Sequence, residues 1–347
     1  MQLKSTVELD DITIECAKSF DFEFDGNSTF DVPVLKAPLE FQIGLIVGPS
    51  GSGKSTLLTQ FGNERQIDWV VNKSICSHFN SAEEAMTRLG AVGLNSVPVW
   101  VKPYHVLSTG ERFRADLARR LVDGAVIDEF TSVVDRNVAK SCSYATSRYV
   151  RKEGLKNIVF ATCHYDIVEW LQPDWVFDTT VGVLSTRGVE RRPTIELELV
   201  PSTVGAWALF SKHHYLTANI NRSARCWVAK WENTAIGFAA VIPMPSGTLQ
   251  NAWRGHRTVV LPEFQGLGMG VRISDAMGMM VRAEGGRYFS KSSSPRLGEY
   301  RNNSPLWKPT SKNQKVRGDS KSQKKWTNQN YRLSHAERLC YSHEFVG

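Results

Sequence analysis

The 347-residue chain has no apolar run approaching the roughly 20 residues that a membrane-spanning helix requires. Nothing in it therefore predicts an integral membrane protein. Its six cysteines (Cys16, Cys76, Cys142, Cys163, Cys226 and Cys340) are scattered and form no CxxC pair. That pattern argues against a disulfide frame or a zinc site and predicts reduced thiols in a cytoplasmic protein. The opening MQLKSTVELDD lacks the profile of a signal peptide or transit sequence. Neither end of the composition scale is reached: 41% hydrophobic and 22% charged residues suit a globular chain long enough for two cores. The formal net charge of +7 permits a polyanionic partner without requiring one.

What is present is concentrated first in Leu45–Leu58, LIVGPSGSGKSTLL. A β-branched apolar run breaks into Gly48-Pro49-Ser50-Gly51-Ser52-Gly53 and resumes at Lys54-Ser55-Thr56 as a helix start, which is GxxxxGK[ST] between strand and helix. Glycines let the backbone approach a phosphate, and successive N–H groups at a helix N-terminus form an anion nest. Lys54 is expected to reach the β- and γ-phosphates and the Ser55 hydroxyl to ligate Mg²⁺, so this region is expected to bind a nucleoside triphosphate. Upstream, TVELDDITIEC, FDFEFDG and TFDVPVLKAPLEFQIGLIV alternate polar and apolar residues, predicting antiparallel strands and hairpins. Phe20, Phe22 and Phe24 are candidates to stack on a base, although one face of a strand explains each of them more simply.

Downstream, Ser81–Leu94 reads as a capped helix. Leu107-Ser108-Thr109-Gly110-Glu111 then opens an amphipathic helix and offers a second phosphate-facing N-terminus through Ser108 and Gly110. Val122–Phe130 is an apolar strand ending in Asp128 and Glu129. Asp128 suits a Mg²⁺ site, and Glu129 suits the orientation and deprotonation of an attacking water. Thr131–Arg136 follows, and a further strand ends at Thr162-Cys163-His164, where a histidine can sense or stabilise a transferred phosphoryl group. The order of P-loop, LSTGE, DE, SVVD and His164 resembles the nucleotide-binding domain of ABC-type ATPases over roughly residues 1–185. The resemblance implies ATP and Mg²⁺, and a homodimer in which Ser108 and Gly110 face the γ-phosphate held by the other copy. Thr109 and Glu111 depart from the family's glycine and glutamine, and no clear Q-loop glutamine is found, Gln66 lying close to the P-loop helix. The short interval from Lys54 to Leu107 leaves little room for a transporter-docking subdomain, so a soluble, non-transporter member is expected.

A boundary is expected near Arg191, giving an ATP-binding domain at 1–190, a second domain at 191–300 and a basic tail at 301–347. In the second domain IELELV predicts a strand, the segment with Trp207, Phe210, His213, His214 and Tyr215 a helix, and ARCWVAKWENTAIGFAAVIPMP a hairpin turning at Glu232-Asn233. A strand through His256–Leu261 leads to Gln265-Gly266-Leu267-Gly268-Met269-Gly270 and a helix over Val271–Ala283. A Rossmann dinucleotide loop fits less well, because no acidic residue follows at the usual interval in a βαβ unit. The pattern resembles the GNAT acyltransferase fold over about 195–300, which implies that Gln265–Gly270 cradle the pyrophosphate of acetyl-CoA. The fold class expected is thus α/β, a P-loop ABC-type domain followed by an α+β GNAT-like domain. Candidate acid–base groups are Tyr215 and His256, with His213, His214, Arg254, Glu263 and Tyr288 beside them; packed, non-catalytic roles compete for each.

The tail RNNSPLWKPTSKNQKVRGDSKSQKKWTNQNYR interleaves Trp307, Trp326 and Tyr331 with cations and is nearly free of acids. That composition suits nucleic acid or a solvated loop about equally. The closing RLCYSHEFVG is expected to return to the second domain as an edge strand. HHYL and RGHRTVVLPEFQGLG also resemble Mom-type phage proteins, GNAT-like enzymes that modify adenine in DNA. Two functions follow as expectations: an ATPase coupled to an acyltransferase acting on nucleic acid or a nucleic-acid-bound substrate, and an ATP-switched DNA-binding protein whose second domain only recognises.

Overall fold

The structure is a computed structural model that describes residues 2–186, 192–214, 219–316 and 339–347. The chain divides into two compact units, residues 1–95 with 99–193, and residues 194–347 with 96–98.

In the first unit the apolar run before the glycine loop is β3 (Ile43–Val47), buried at all five positions. It lies inside a sheet ordered β4 (Val126–Ile127), β5 (Ile158–Thr162), β3, β6 (Trp175–Asp178) and β7 (Val183–Thr186). The first four run parallel and β7 is antiparallel to β6. Parallel strands covered on both faces read as unbroken apolar runs, which is why IGLIV and IVFAT lack alternation. Gly44 is required by packing, because a Cβ there would stand 2.1 Å from the Trp175 ring. Parallel order also collects loops at one edge: the glycine loop after β3, Asp128 and Glu129 after β4, His164 after β5, and Thr179 after β6.

A separate hairpin pairs β1 (Gln2–Thr6) with β2 (Asn27–Asp31). The expected strand through DITIEC is instead a helix, Asp11–Ser19. Its start is set locally, Asp10 accepting the Thr13 N–H at 2.7 Å, and no residue of it is buried, so alternation carried no packing information. FDFEFDG is not a strand either, and Phe20 and Phe22 are exposed.

The second unit is an eight-stranded sheet. Its main path runs β13 (Trp307–Pro309), β15 (Leu339–Phe345), β12 (Arg287–Ser292), β11 (Ala252–Val260), β10 (Thr234–Pro243), β9 (Arg225–Trp231), β8 (Glu198–Ser202), and β14 (Lys315–Val316) pairs with β15. The β9–β10 turn is Glu232-Asn233 with φ of 47° and 63°, the double left-handed geometry that matches strand twist in a two-residue hairpin. Strands β11 and β12 are parallel and pair only from Ala252–Arg254 to Arg287–Phe289, after which their register ends. The helix Met269–Ala283 connects them and packs closely on β15; a Cβ on Gly278 would lie 2.4 Å from the Phe345 ring.

The closing segment expected at an edge is interior. β15 has β12 on one side, through pairs such as Tyr288↔Phe345, and β13 and β14 on the other. Part of the expected tail is likewise core. Trp307 donates through Nε1 to Asp275 at 2.7 Å, Tyr300 donates to the same carboxylate at 2.7 Å, and the buried Arg301 guanidinium lies 4.3 Å from the Trp307 ring centre. Composition marked the segment as polar, but its few aromatic residues supply the packing. Trp326 and Tyr331 lie outside the described residues.

Candidate functional site

In the first unit the glycine loop holds its shape without a ligand. Gly48, Gly51 and Gly53 adopt φ of 153°, 77° and 83°. A Cβ on Gly48 would meet Thr179 Oγ1 at 1.9 Å, so that position admits only glycine. Thr179 hydrogen-bonds Ser52 Oγ at 2.6 Å and the Val47 carbonyl at 3.1 Å, tying the loop to the end of β6. The Lys54 ammonium is buried and donates to the Pro49 carbonyl at 2.7 Å, across the mouth of the loop. An anion seated on the loop would compete for that cation with a neutral carbonyl, and a charge-assisted bond is the stronger one.

A cavity of ≈ 670 Å³ opens beside this loop. Ser50, Gly51, Gly53, Lys54, Ser55 and Thr56 line one side, and Glu129 lines another. The β1–β2 hairpin closes it with Lys4, Thr29 and Phe30 among others. Phe30, and none of Phe20, Phe22 or Phe24, is therefore the aromatic at this cavity. Sequence reasoning passed over it; its ring lies 3.1 Å from where a Cβ on Gly53 would stand, which puts it against the loop. Pro49 and Ser52 shape the loop without lining the cavity.

Asp128, Ser108, Gly110 and His164 are not among the cavity's lining residues. Asp128 accepts the Glu129 N–H at 2.8 Å, and Glu129 holds a left-handed φ of 47°. Glu64, not singled out from sequence, accepts the Asp128 N–H at 3.2 Å and a bond from Arg120 at 2.9 Å. Burial raises its pKa against the pull of Arg120. His164 receives a contact at 3.4 Å from Thr131 Oγ1, and burial, then Arg136, lowers its pKa, favouring the neutral ring. Ser108 was expected to place its hydroxyl, with free N–H groups, at the positive end of the helix. It is instead half of a capping box: its Oγ accepts the Glu111 N–H at 3.3 Å, and its own N–H goes to the Glu111 carboxylate at 2.9 Å. Glu111 thus has a local structural role. Among the described residues no cluster of three or more His, Cys, Asp or Glu could hold a metal ion, so a Mg²⁺ at Ser55 and Asp128 would need further ligands from phosphate and water.

In the second unit Gln265–Gly270 connect β11 to the helix Met269–Ala283. Gly266 and Gly268 have φ of 102° and 78°, and a Cβ on Gly268 would meet nothing within 4 Å. Glycine there serves backbone conformation alone. Gln265 fastens the loop by donating from Nε2 to the Val260 carbonyl at 2.9 Å. The helix has no side-chain cap, so the leading N–H groups around Leu267, Gly268, Met269 and Gly270 remain available to an external acceptor. The residues present therefore fit a pyrophosphate.

Where β11 and β12 part, a second cavity of ≈ 490 Å³ contains His256 and Arg254. The His256 Nε2 accepts the Asn221 N–H at 3.0 Å, which leaves the proton of the neutral ring on Nδ1. Burial, then Arg257 and Arg254, lowers its pKa to about 4. This hydrogen bond occupies the Nε2 lone pair in the structure as it stands. Tyr288 is buried and pushed up to about 12 by burial, and its hydroxyl would lie 2.8 Å from a Cβ on Gly255, so it stays protonated beneath β11. His213 is half-buried and lowered by burial and Lys212, with Glu263 opposing. Tyr215 lies outside the described residues. No described helix is long and apolar enough to cross a membrane.

Residues 192–288 match the model of the acetyltransferase (GNAT) family. No curated protein matches the chain. Among solved structures, a GNAT family acetyltransferase from Elizabethkingia anophelis with acetyl-CoA bound is 13% identical, with 44% of this chain and 98% of that one covered at a TM-score of 0.32. The ribosomal-protein-S18-alanine N-acetyltransferase from Escherichia coli is 9% identical, with 43% and 93% covered at 0.31. A dimeric bacterial ABC transporter cassette is 16% identical, with 44% and 84% covered at 0.32. Scores this low fix no residue's role. The family match by itself makes residues 192–288 an acetyltransferase (GNAT) family domain.

Proposed function

We propose that this chain is an acyl-CoA-dependent N-acyltransferase governed by an ABC-type ATPase in the same polypeptide. The observation that carries the reading is the presence, in each unit, of a strand–glycine loop–helix start with left-handed glycines and open N–H groups. In the first unit Gly48–Thr56 would hold ATP, with Ser55 and Asp128 on Mg²⁺. Lys54 would move from the Pro49 carbonyl to the phosphates. Glu129 would take a proton from the attacking water, and His164 would stabilise the departing phosphoryl group. Ser108 and Gly110 would complete the site of a second copy, making the active form a homodimer.

In the second unit Gln265–Gly270 would bind the pyrophosphate of acetyl-CoA, which supplies a thioester as acyl donor. An acceptor amine bonds to the acyl carbon as the C–S bond breaks. A base, for which a histidine or Glu263 is the candidate, would take the amine proton. Tyr215 or Tyr288 returns one to the thiolate. The acceptor proposed is nucleic acid or a substrate bound to it, in keeping with the chain's net charge of +7 and its likeness to Mom-type proteins. Calorimetry with acetyl-CoA and, separately, with ATP and Mg²⁺ tests the two halves. An absence of acetyl-CoA binding would defeat the transferase reading.

One observation favours a second reading. With His256 Nε2 occupied by Asn221, the second unit can recognise without transferring, and the chain would be an ATP-switched DNA-binding protein. DNA-stimulated ATP hydrolysis with no acetyl-CoA affinity would select that reading.

A further inference from the structure

The cavity beside the parted strands β11 and β12 has a one-sided charge. Its lining includes Arg254, His256 and Arg257 from β11, Lys291 from β12 and Lys312 beyond β13, with no aspartate or glutamate among the described residues. Arg257 is already committed, donating to the His256 carbonyl at 2.8 Å and the Asn219 carbonyl at 2.7 Å. Nearby carboxylates are committed as well, Glu284 to Arg225 and Glu344 to Arg287. Among the described residues Arg254, Lys291 and Lys312 make no ion pair. Three uncompensated cations around one opening repel each other, and an anion placed between them relieves that repulsion. Met244, Leu249 and Phe289 add an apolar surface for a carbon skeleton, and Ser290, Thr310, Ser311 and Ser342 line the rest with hydroxyl groups.

The charge does not belong to the glycine loop. None of Gln265–Gly270 lines this cavity. Arg254 precedes Val260 along β11, and at ~3.3 Å per residue the two ends of that stretch are on the order of 20 Å apart. Phosphates seated on the loop would therefore leave the cavity's cations unanswered.

We propose that this cavity is the acceptor subsite and selects an amine whose skeleton also carries a phosphate or carboxylate, which Arg254, Lys291 and Lys312 pair with. The assignment rests on the acyltransferase reading. The His256 pKa is lowered first by burial and then by Arg257 and Arg254, which is consistent with those positive surroundings.

The test is calorimetry on the full chain with CoA saturating, so that the glycine loop is already filled. Phosphoethanolamine, aspartate and ethanolamine serve as probes with a phosphate, a carboxylate and no anion. The expected result is that one or both anionic probes bind more tightly than ethanolamine; which one does identifies the anion. In the Arg254→Gln/Lys291→Gln variant, affinity for that probe should fall by about tenfold or more, tenfold being the scale of one lost charge-assisted bond and two being removed. Its affinity for acetyl-CoA should stay within about twofold, which also shows that the variant is folded. Ethanolamine binding as well as the anionic probes, or a variant that keeps their affinity, overturns the assignment. Anion selectivity in a protein that does not bind acetyl-CoA would instead refute the acyltransferase reading, leaving an anion site without that chemistry.

Discussion

The two glycine loops differ in how they would hold negative charge. The first places a buried ammonium at its mouth and braces the turn through Thr179, which reaches it from another strand. It is followed by only five residues of α-helix, Lys54–Leu58. The second has no cation of its own, is fastened by the Gln265 side chain and opens a helix of 15 residues. The first concentrates charge on one side chain, and the second distributes it over backbone N–H groups. A lysine-centred site should therefore fail sharply on one substitution, and a backbone-centred site should fail gradually.

The largest effect is expected at Glu129. Glu129→Gln should slow ATP turnover by about a hundredfold or more, the scale of a lost general base, while leaving ATP binding intact. Phosphate release together with calorimetry reads both quantities, and unchanged turnover would remove Glu129 from the chemistry. Next, Lys54→Ala should weaken ATP binding by about tenfold or more, since it deletes a buried charge-assisted bond. If affinity survives, the contrast between the two loops is mistaken.

Gly278→Ala brings a methyl against the Phe345 ring and should cost about 1–3 kcal/mol in urea unfolding of the second unit. Gly268→Ala meets no atom, so only its left-handed φ is penalised, and a loss of about 1–2 kcal/mol is expected. Acetyl-CoA affinity in that variant should drop modestly. A loss as abrupt as that at Lys54 would mean the second loop is not backbone-centred. The smallest effect is pH-dependent. His256 and His343 are both lowered from their usual 6.5 to about 4, chiefly by burial. As pH falls below 6.5 the unfolded chain takes up protons first. The stability these rings contribute is therefore complete above about 6.5 and is lost on the way down to about 4. Urea midpoints measured from pH 7 to 4 should show that decline, and His256→Gln should flatten part of it.

Local signals were legible in the sequence. The glycine loop after β3, the Ser81 cap and the Glu232-Asn233 turn each depend on residues within a few positions of one another. The helix Asp11–Ser19 was missed because apolar alternation means strand only when a face is buried, and here nothing is. The Ser108 capping box was also local, and the serine and glutamate three apart could have announced it. Phe30, Glu64 and the Thr179 brace could not be read, because each acts across the fold on a loop far away in sequence. The cation group around Arg254 is spread over β11, β12 and the residues after β13 in the same way.

The placement of β15 has a consequence for how the second unit can fail. Its Phe345 pairs with Tyr288, far earlier in the chain, a long closure beside the two-residue link between β9 and β10. The hairpin can form early, whereas β15 must wait. Until it inserts, β12 and β13 each present an unpaired backbone edge, so a chain stalled at that stage is a template for pairing with its neighbours.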